Sequence, residues 1–397
     1  MAIPLGMILK EPMKAQALRN KVDTNAEIAR MIAEEGMVLL RNEGTLPFKQ
    51  SDTIVGLGDA QDSGMIYGGL GSGWVNATNM VSYAQGLKDA VKSGYIKSYT
   101  TIDSADSGER ATKAMYFIAR STTENEDNSV SSYYLNSQEK TDILGLINVY
   151  GANNVVVVLN VGMVIDTTWL IENEVGAIVL SYYAGERAGE ALANLLTGKS
   201  NFSGKTVDTW AKDYTDYPSS SIGTFAGDAN TFYTEDIYVG YRYFETFDQN
   251  YERVNYEFGY GLSYTKFEFT EKSFTVDGDE ITFNVTVRNK GTRAGKETVQ
   301  VYYSAPQGEF GNPARELAGF AKTSLLAPGK KETVKITFKI SDMAVYDDQS
   351  LIRNNSWVLL KGDYKFYVGN SVKDAALNGL MDSVYTVNEN KVLETTC

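Results

Sequence analysis

Histidine does not occur in this sequence, and the single cysteine, Cys397, is its last residue. Without histidine the chain cannot build a Ser-His-Asp triad, a Cys-His dyad or a His-ligated metal site from its own side chains. A lone terminal thiol can neither staple a disulfide framework nor join other cysteines around zinc. No cofactor and no metal are therefore expected. Positive charge is also scarce: 37 Lys and Arg stand against 50 Asp and Glu, a formal net charge of −13. Nucleic acid and anionic membrane surfaces attract a basic face, so neither is expected as a partner. No apolar run approaches the roughly 20 residues of a membrane span. The short apolar run within Met1 to Lys10 has no basic leader before it and falls short of a signal peptide. A cytoplasmic location is the expectation.

What is present describes ordinary globular protein. The 397 residues, 43% of them hydrophobic and 22% charged, suffice for two or three domains with their own cores. Tyrosine is abundant, with 26 residues. Tyrosine suits sugar contact and strands equally, so its abundance decides nothing alone.

Residues 1–23 read as an N-terminal extension. Thr24-Asn25-Ala26-Glu27 then has capping-box spacing, and Ile28, Met31 and Ile32 recur at helical intervals before Gly36. Met37 to Leu40, Thr53 to Leu57, Met115 to Ala119, Asn154 to Val161 and Ala177 to Leu180 read as buried strands. Helical patterns at Ser137 to Tyr150 and Gly185 to Leu196 alternate with them. Strands buried on both faces and interleaved with helices predict an α/β sandwich, a mostly parallel sheet flanked by helices, over 24–230. Within it, Asn201 to Ala229 is rich in Ser, Thr, Gly and Asp and predicts a long surface excursion. The aromatic-rich stretches in 231–269 predict a connector. From Ser273 onward the period is two, with Ile281, Phe283, Val285 and Val287 alternating with polar residues. Thr298 to Tyr303, Thr333 to Ile340 and Tyr364 to Val368 continue the style, so 270–377 is predicted to be an all-β sandwich. No partner strand is evident for 378–397, which reads as a C-terminal linker.

Several stretches resemble the C-terminal portion of family-3 glycoside hydrolases. Ile28-Ala29-Arg30 through Glu34-Glu35-Gly36-Met37-Val38-Leu39-Leu40-Arg41-Asn42 is similar to that family's first helix and strand here. Tyr182-Tyr183-Ala184-Gly185-Glu186-Arg187-Ala188-Gly189, Asn201-Phe202-Ser203-Gly204-Lys205 and Phe258-Gly259-Tyr260-Gly261-Leu262-Ser263-Tyr264 follow in the family's order. Val299-Gln300-Val301-Tyr302 and Glu316-Leu317-Ala318-Gly319-Phe320 are similar to its fibronectin-III-like module. The resemblance runs from about residue 24 to 375. It implies a part of a retaining β-glucosidase acting on terminal non-reducing β-D-glucosyl residues, with a β-glucoside or cello-oligosaccharide as substrate. In the family a barrel domain carries the Asp nucleophile, and one subgroup places that barrel after the other two domains. The wording Gly204-Lys205-Thr206-Val207-Asp208-Thr209 resembles that permuted subgroup, and no stretch resembles the barrel's Ser-Asp-Trp motif. The implied partner is a barrel domain in the same or a companion chain, without which the chain is expected to be inactive. The alternatives are a non-catalytic carbohydrate-binding module and a scaffold or homodimerisation unit derived from the family.

Retaining glycosidases work with two carboxylates about 5–5.5 Å apart, one attacking the anomeric carbon and one protonating the leaving oxygen. Arg120-Ser121-Thr122-Thr123-Glu124-Asn125-Glu126-Asp127 follows a buried strand, which puts it at the sheet's C-terminal edge. Its spacing is similar to the family's Ser-Gly-Glu-Gly-x-Asp-Arg element, with Thr123 in place of Gly and Asn128 in place of Arg. On that resemblance Glu124 is the acid/base, with Glu126 as fallback. By charge alone the same residues form a solvated acidic loop. The second candidate is Gly68-Gly69-Leu70-Gly71-Ser72-Gly73-Trp74. A phosphate cradle is disfavoured, because no Lys-Ser/Thr follows and dinucleotide spacing is not met. The family's corresponding loop borders the leaving-group subsite, which implies that Gly69, Leu70 and Ser72 line the entrance. The competing reading is a turn that packs sandwich against barrel. Asp166, Trp169, Glu186 and Arg187 are read as helix caps or surface ion pairs.

Overall fold

All seven positions of β5, Val155–Val161, are buried and six of them are Val or Leu, a run that needs cover on both faces. In the computed structural model, which describes residues 24–68, 80–122, 128–221, 233 and 235–395, that cover is present. The strands β1 (Val38–Asn42), β2 (Thr53–Leu57), β3 (Ser98–Thr101), β4 (Lys113–Arg120), β5 and β6 (Ala177–Leu180) form one sheet in the order β1-β6-β5-β4-β2-β3. β2 to β6 run parallel, and β1 closes one edge antiparallel to β6.

Alternate side chains of each strand feed opposite layers. Ile54, Met115, Phe117, Val156, Val158 and Val179 pack beneath the helices Tyr83–Lys92 and Ala188–Leu196. Val55, Tyr116, Ile118, Val157 and Leu159 pack with Ile143 and Leu146 of the helix Ser137–Tyr150 on the other face. The first two helices touch at Gly86 and Gly189. A Cβ added at Gly86 would lie 2.0 Å from the Gly189 carbonyl oxygen, so only glycine permits this approach. The fold is the α/β sandwich that the periodicity predicts.

Residues 201–221 depart from the surface excursion expected of them. Phe202, Trp210 and Ala211 are buried, and β7 (Trp210–Ala211) pairs with β8 (Val254–Tyr256). The polar composition masked a few large apolar anchors.

The second module is all-β. β9 (Phe267–Asp277), β10 (Glu280–Asn289) and β13 (Lys331–Lys339) form one antiparallel sheet. β12 (Glu316–Lys322), β11 (Thr298–Ser304), β16 (Gly362–Gly369) and β17 (Leu380–Val387) form its counterpart. Ile281, Phe283, Val285 and Val287 meet Val299, Val301, Phe366 and Val368 in the core between them. A third small sheet joins β14 (Val345–Asp347), β15 (Ser356–Leu359) and β18 (Lys391–Thr395). β17 and β18 correct the expectation of a linker without a partner strand: β17 pairs with β16, and β18 pairs with β15. Tyr385 packs on the core and Val387 is buried within it. The partners of this stretch come from earlier strands, so local pattern alone hid them.

Charged pairs lock the modules together. Lys205 Nζ meets Glu297 at 2.9 Å, and the Arg315 guanidinium meets the fully buried Glu245 carboxylate at 2.6 Å. Burial pushes the Glu245 carboxyl up, while Arg315 and the Tyr251 hydroxyl pull it back.

Candidate active site

Parallel strands bring their carboxyl ends to one edge, so segments distant in sequence meet there. Here the loops after β2, β4, β5 and β6 share that edge.

β4 ends at Arg120, whose guanidinium grips three pieces of chain. It forms a two-pronged pair with Glu139, Nη1 to Oε1 at 2.6 Å and Nη2 to Oε2 at 2.7 Å. It also donates to the carbonyls of Ser132 and Tyr134. Glu139 is buried and completes a capping box with Asn136 at the start of the helix Ser137–Tyr150. One cation thus ties the strand end, the chain beyond residue 127 and the next helix together.

Tyr183, in the loop after β6, holds the upstream flank. Its hydroxyl donates to the Arg120 carbonyl and accepts from the Thr122 N–H at 3.1 Å. The ring lies against Gly162 at the end of β5, where an added Cβ would sit 2.7 Å from a ring carbon.

Asn160 is the polar exception inside the Val-rich β5, and it is fully buried. Its Oδ1 accepts from the Ile66 N–H at 2.7 Å, and its Nδ2 donates to the carbonyls of Ile66 at 2.8 Å and Tyr182 at 2.7 Å. Backbone bonds extend the seam: Gly185 N–H to the Tyr67 carbonyl and Val81 N–H to the Glu186 carbonyl, both 2.8 Å. Both ends of the Gly-rich segment are therefore fastened to the loop after β6. That loop holds Tyr182 in the left-handed region, at φ 53°. Burial pushes the Tyr182 phenol up to about 12.

Replacing Asn160 by Ala would remove the partner of the Ile66 N–H and carbonyl and one of two donors to the Tyr182 carbonyl. Each buried group left unpaired costs about 1–3 kcal/mol. The expected loss is at least about 2 kcal/mol, read from the urea unfolding midpoint. An unchanged midpoint would mean that Asn160 holds nothing.

Glu124 and Glu126 fall in 123–127, and Gly69, Leu70, Ser72 and Trp74 fall in 69–79; these residues lie outside the described ones. Their described flanks come together, because Thr122 and Tyr67 both bond to the Tyr183–Gly185 stretch. Asp166 stands one residue before Thr167, the N-cap of the helix Thr168–Glu172, and its Oδ1 accepts from the Thr168 N–H at 2.8 Å. Burial raises its carboxyl, and the N–H groups of Thr168 and Trp169 oppose that rise. Trp169 packs on the sheet beneath Lys140, and Arg187 pairs with Glu190 at 3.2 Å. Sequence reasoning missed the anchors Glu139, Asn160 and Tyr183. For Asn160 a signal existed: one amide inside a run of buried valines needs a reason.

Residues 37–264 match the glycosyl hydrolase family 3 C-terminal domain. The chain belongs to glycosyl hydrolase family 3. Residues 297–372 match the fibronectin type III-like domain. Among family members, beta-glucosidase A of Butyrivibrio fibrisolvens is 34% identical over an alignment covering 93% of this chain and 52% of that protein. A beta-glucosidase of Ruminococcus albus is also 34% identical, with 94% and 42% covered. The structure of beta-glucosidase 3B from Thermotoga neapolitana superposes with a TM-score of 0.83 at 30% identity, over 94% of this chain and 55% of that one. A Paenibacillus barengoltzii beta-glucosidase superposes at 0.82 with 32% identity, over 93% and 44%. The chain spans about half the length of these family 3 relatives.

Proposed function

We propose that these two modules supply the general acid/base of a retaining β-glucosidase from the 123–127 loop, with Glu124 in that role. One observation carries the reading: both flanks of the loop are fixed to the sheet's C-terminal edge, and the flanks of the Gly-rich segment share the same anchor. The named beta-glucosidases among the family relatives support the reaction class. A loop held at both ends can keep a carboxyl within hydrogen-bond reach of a glycosidic oxygen while its tip still meets a partner surface.

In the first half-reaction Glu124 gives its proton to the glycosidic oxygen as the aglycone departs. A carboxylate nucleophile opposite takes the anomeric carbon as an ester. In the second, ionised Glu124 removes a proton from the water that cleaves the ester, restoring both groups. We assign the nucleophile to a barrel domain in the same or a companion polypeptide. Gly69, Leu70 and Ser72 then border the aglycone side, where the missing side chains of the glycines leave room for a sugar ring. The substrates are terminal non-reducing β-D-glucosyl residues of β-glucosides or cello-oligosaccharides.

The test is aryl β-glucoside hydrolysis by this chain alone and after addition of a family 3 barrel domain. Release is expected near background alone and well above it with the barrel. Robust hydrolysis by the chain alone would overturn the division of labour.

A further inference from the structure

One phenol stands where the flanks of both candidate loops meet. Tyr182 packs with one layer of the α/β module and Ala184 with the other, so the chain after β6 crosses the end of the sheet between them. The left-handed backbone of Tyr182, at φ 53°, makes that turn. The Tyr183 hydroxyl then straddles the exit of β4. It donates to the Arg120 carbonyl, accepts from the Thr122 N–H at 3.1 Å and lies 3.3 Å from the Thr122 Oγ1. Among the described residues no other side chain bonds to Thr122. The ring that aims this hydroxyl rests on Gly162. A Cβ added there would sit 2.7 Å from Cε2, 2.9 Å from Cζ and 3.1 Å from the hydroxyl oxygen. Two residues further on, the Gly185 N–H holds the Tyr67 carbonyl at the start of the Gly-rich segment.

We infer that Tyr183 is a positioning residue for the acid step: its hydroxyl fixes the strand exit that leads to Glu124, and so sets where that carboxyl meets the leaving oxygen. The inference rests on the assignment of Glu124 and adds a residue that acts only through it. A phenol has one proton to give and two lone pairs. The Arg120 carbonyl and the two groups of Thr122 use all three, which leaves nothing to offer a substrate. A general acid works only within hydrogen-bond reach of the oxygen it protonates, and a misplacement of about 1 Å can cost about 10²-fold. That loss falls on substrates that need the proton. A sugar alkoxide departs only as it is protonated, whereas dinitrophenolate departs unaided. Because the same stretch of chain fastens the Gly-rich segment, the acid and the aglycone side are set from one joint.

Tyr183→Phe tests this, because it removes the hydroxyl and keeps the ring. In this chain alone, amide hydrogen exchange at Thr122 should quicken about tenfold while exchange at Val157, inside β5, stays as in the parent. In a protein that joins these modules to a family 3 barrel, kcat/KM for cellobiose should fall about ten- to a hundredfold. For dinitrophenyl β-glucoside it should be nearly unchanged. Gly162→Ala, which pushes the ring end aside, should reproduce both results. Added to Glu124→Gln, Tyr183→Phe should cause no further loss, since a residue that acts through the acid then has nothing to act on. Equal losses for the two glucosides, or additive losses in the double variant, would reduce Tyr183 to a general structural contact and overturn the inference. Unchanged exchange at Thr122 would do the same, and each of these leaves Glu124 in its role. Quickened exchange together with parent-like turnover of cellobiose by Glu124→Gln would instead remove the Glu124 assignment, and the inference with it.

Discussion

Glu124→Gln, in a protein that joins these modules to a family 3 barrel, is expected to lower turnover of unactivated β-glucosides by about 10²–10⁴-fold. The amide keeps the size and most hydrogen bonds of the carboxyl but can neither give a proton to the leaving oxygen nor take one from water. Folding should be unchanged, because the substitution is close to isosteric and leaves the anchors Arg120, Glu139 and Tyr183 unaltered. Aryl glucosides with acidic leaving groups need little protonation, so for them the loss should move to the second half-reaction and the apparent KM should fall with kcat. Glu126→Gln should cost far less. Steady-state kinetics on a leaving-group series reads all of this. An equal loss for both variants would show that the loop's charge matters and that neither carboxyl has a dedicated role.

Arg120→Met should act on stability and activity together. The guanidinium and the Glu139 carboxylate are only 12% and 10% exposed, and their pairing is two-pronged. Removing one partner of a buried pair leaves the other charge uncompensated, at a cost of about 3–5 kcal/mol. The carbonyls of Ser132 and Tyr134 lose their donor as well. Denaturant unfolding should show a loss of that size. Turnover of the joined protein, measured where the variant is still folded, should fall mainly in kcat because the loop's downstream flank is released. Arg120→Lys keeps the charge but not the fork, and should lose less of both. A variant that loses stability but keeps kcat would confine Arg120 to a structural role.

The fold was readable wherever local pattern and burial agree. β6 and the helix Ser137–Tyr150 have the bounds that their sequences predict, and β5 begins one residue later, because each satisfies a period or a burial demand within its own residues. Other elements escaped, four of them for clear reasons. β3, Ser98–Thr101, is a polar edge strand with no apolar run. In the helix Tyr83–Lys92 a glycine that serves helix packing interrupts the pattern. β17 and β18 are specified by strands earlier in the chain. The candidate site divides in the same way. Position after β4 leads to the expectation of Glu124 and Glu126 at the sheet edge, and sequence alone supplies that expectation. What holds the described flanks of that loop and of the Gly-rich segment is a set of side-chain bonds spanning long separations, Tyr183 to Thr122 and Asn160 to Ile66 among them. No window of sequence displays such pairs.

Chemical rescue reaches the assigned role of Glu124 most directly. Azide needs no general base, so with Glu124→Gln it should attack the trapped glucosyl ester where water cannot. Turnover of an activated aryl glucoside should recover with azide concentration, and the product should be β-glucosyl azide. No recovery, or recovery with Glu126→Gln in place of Glu124→Gln, would contradict the assignment.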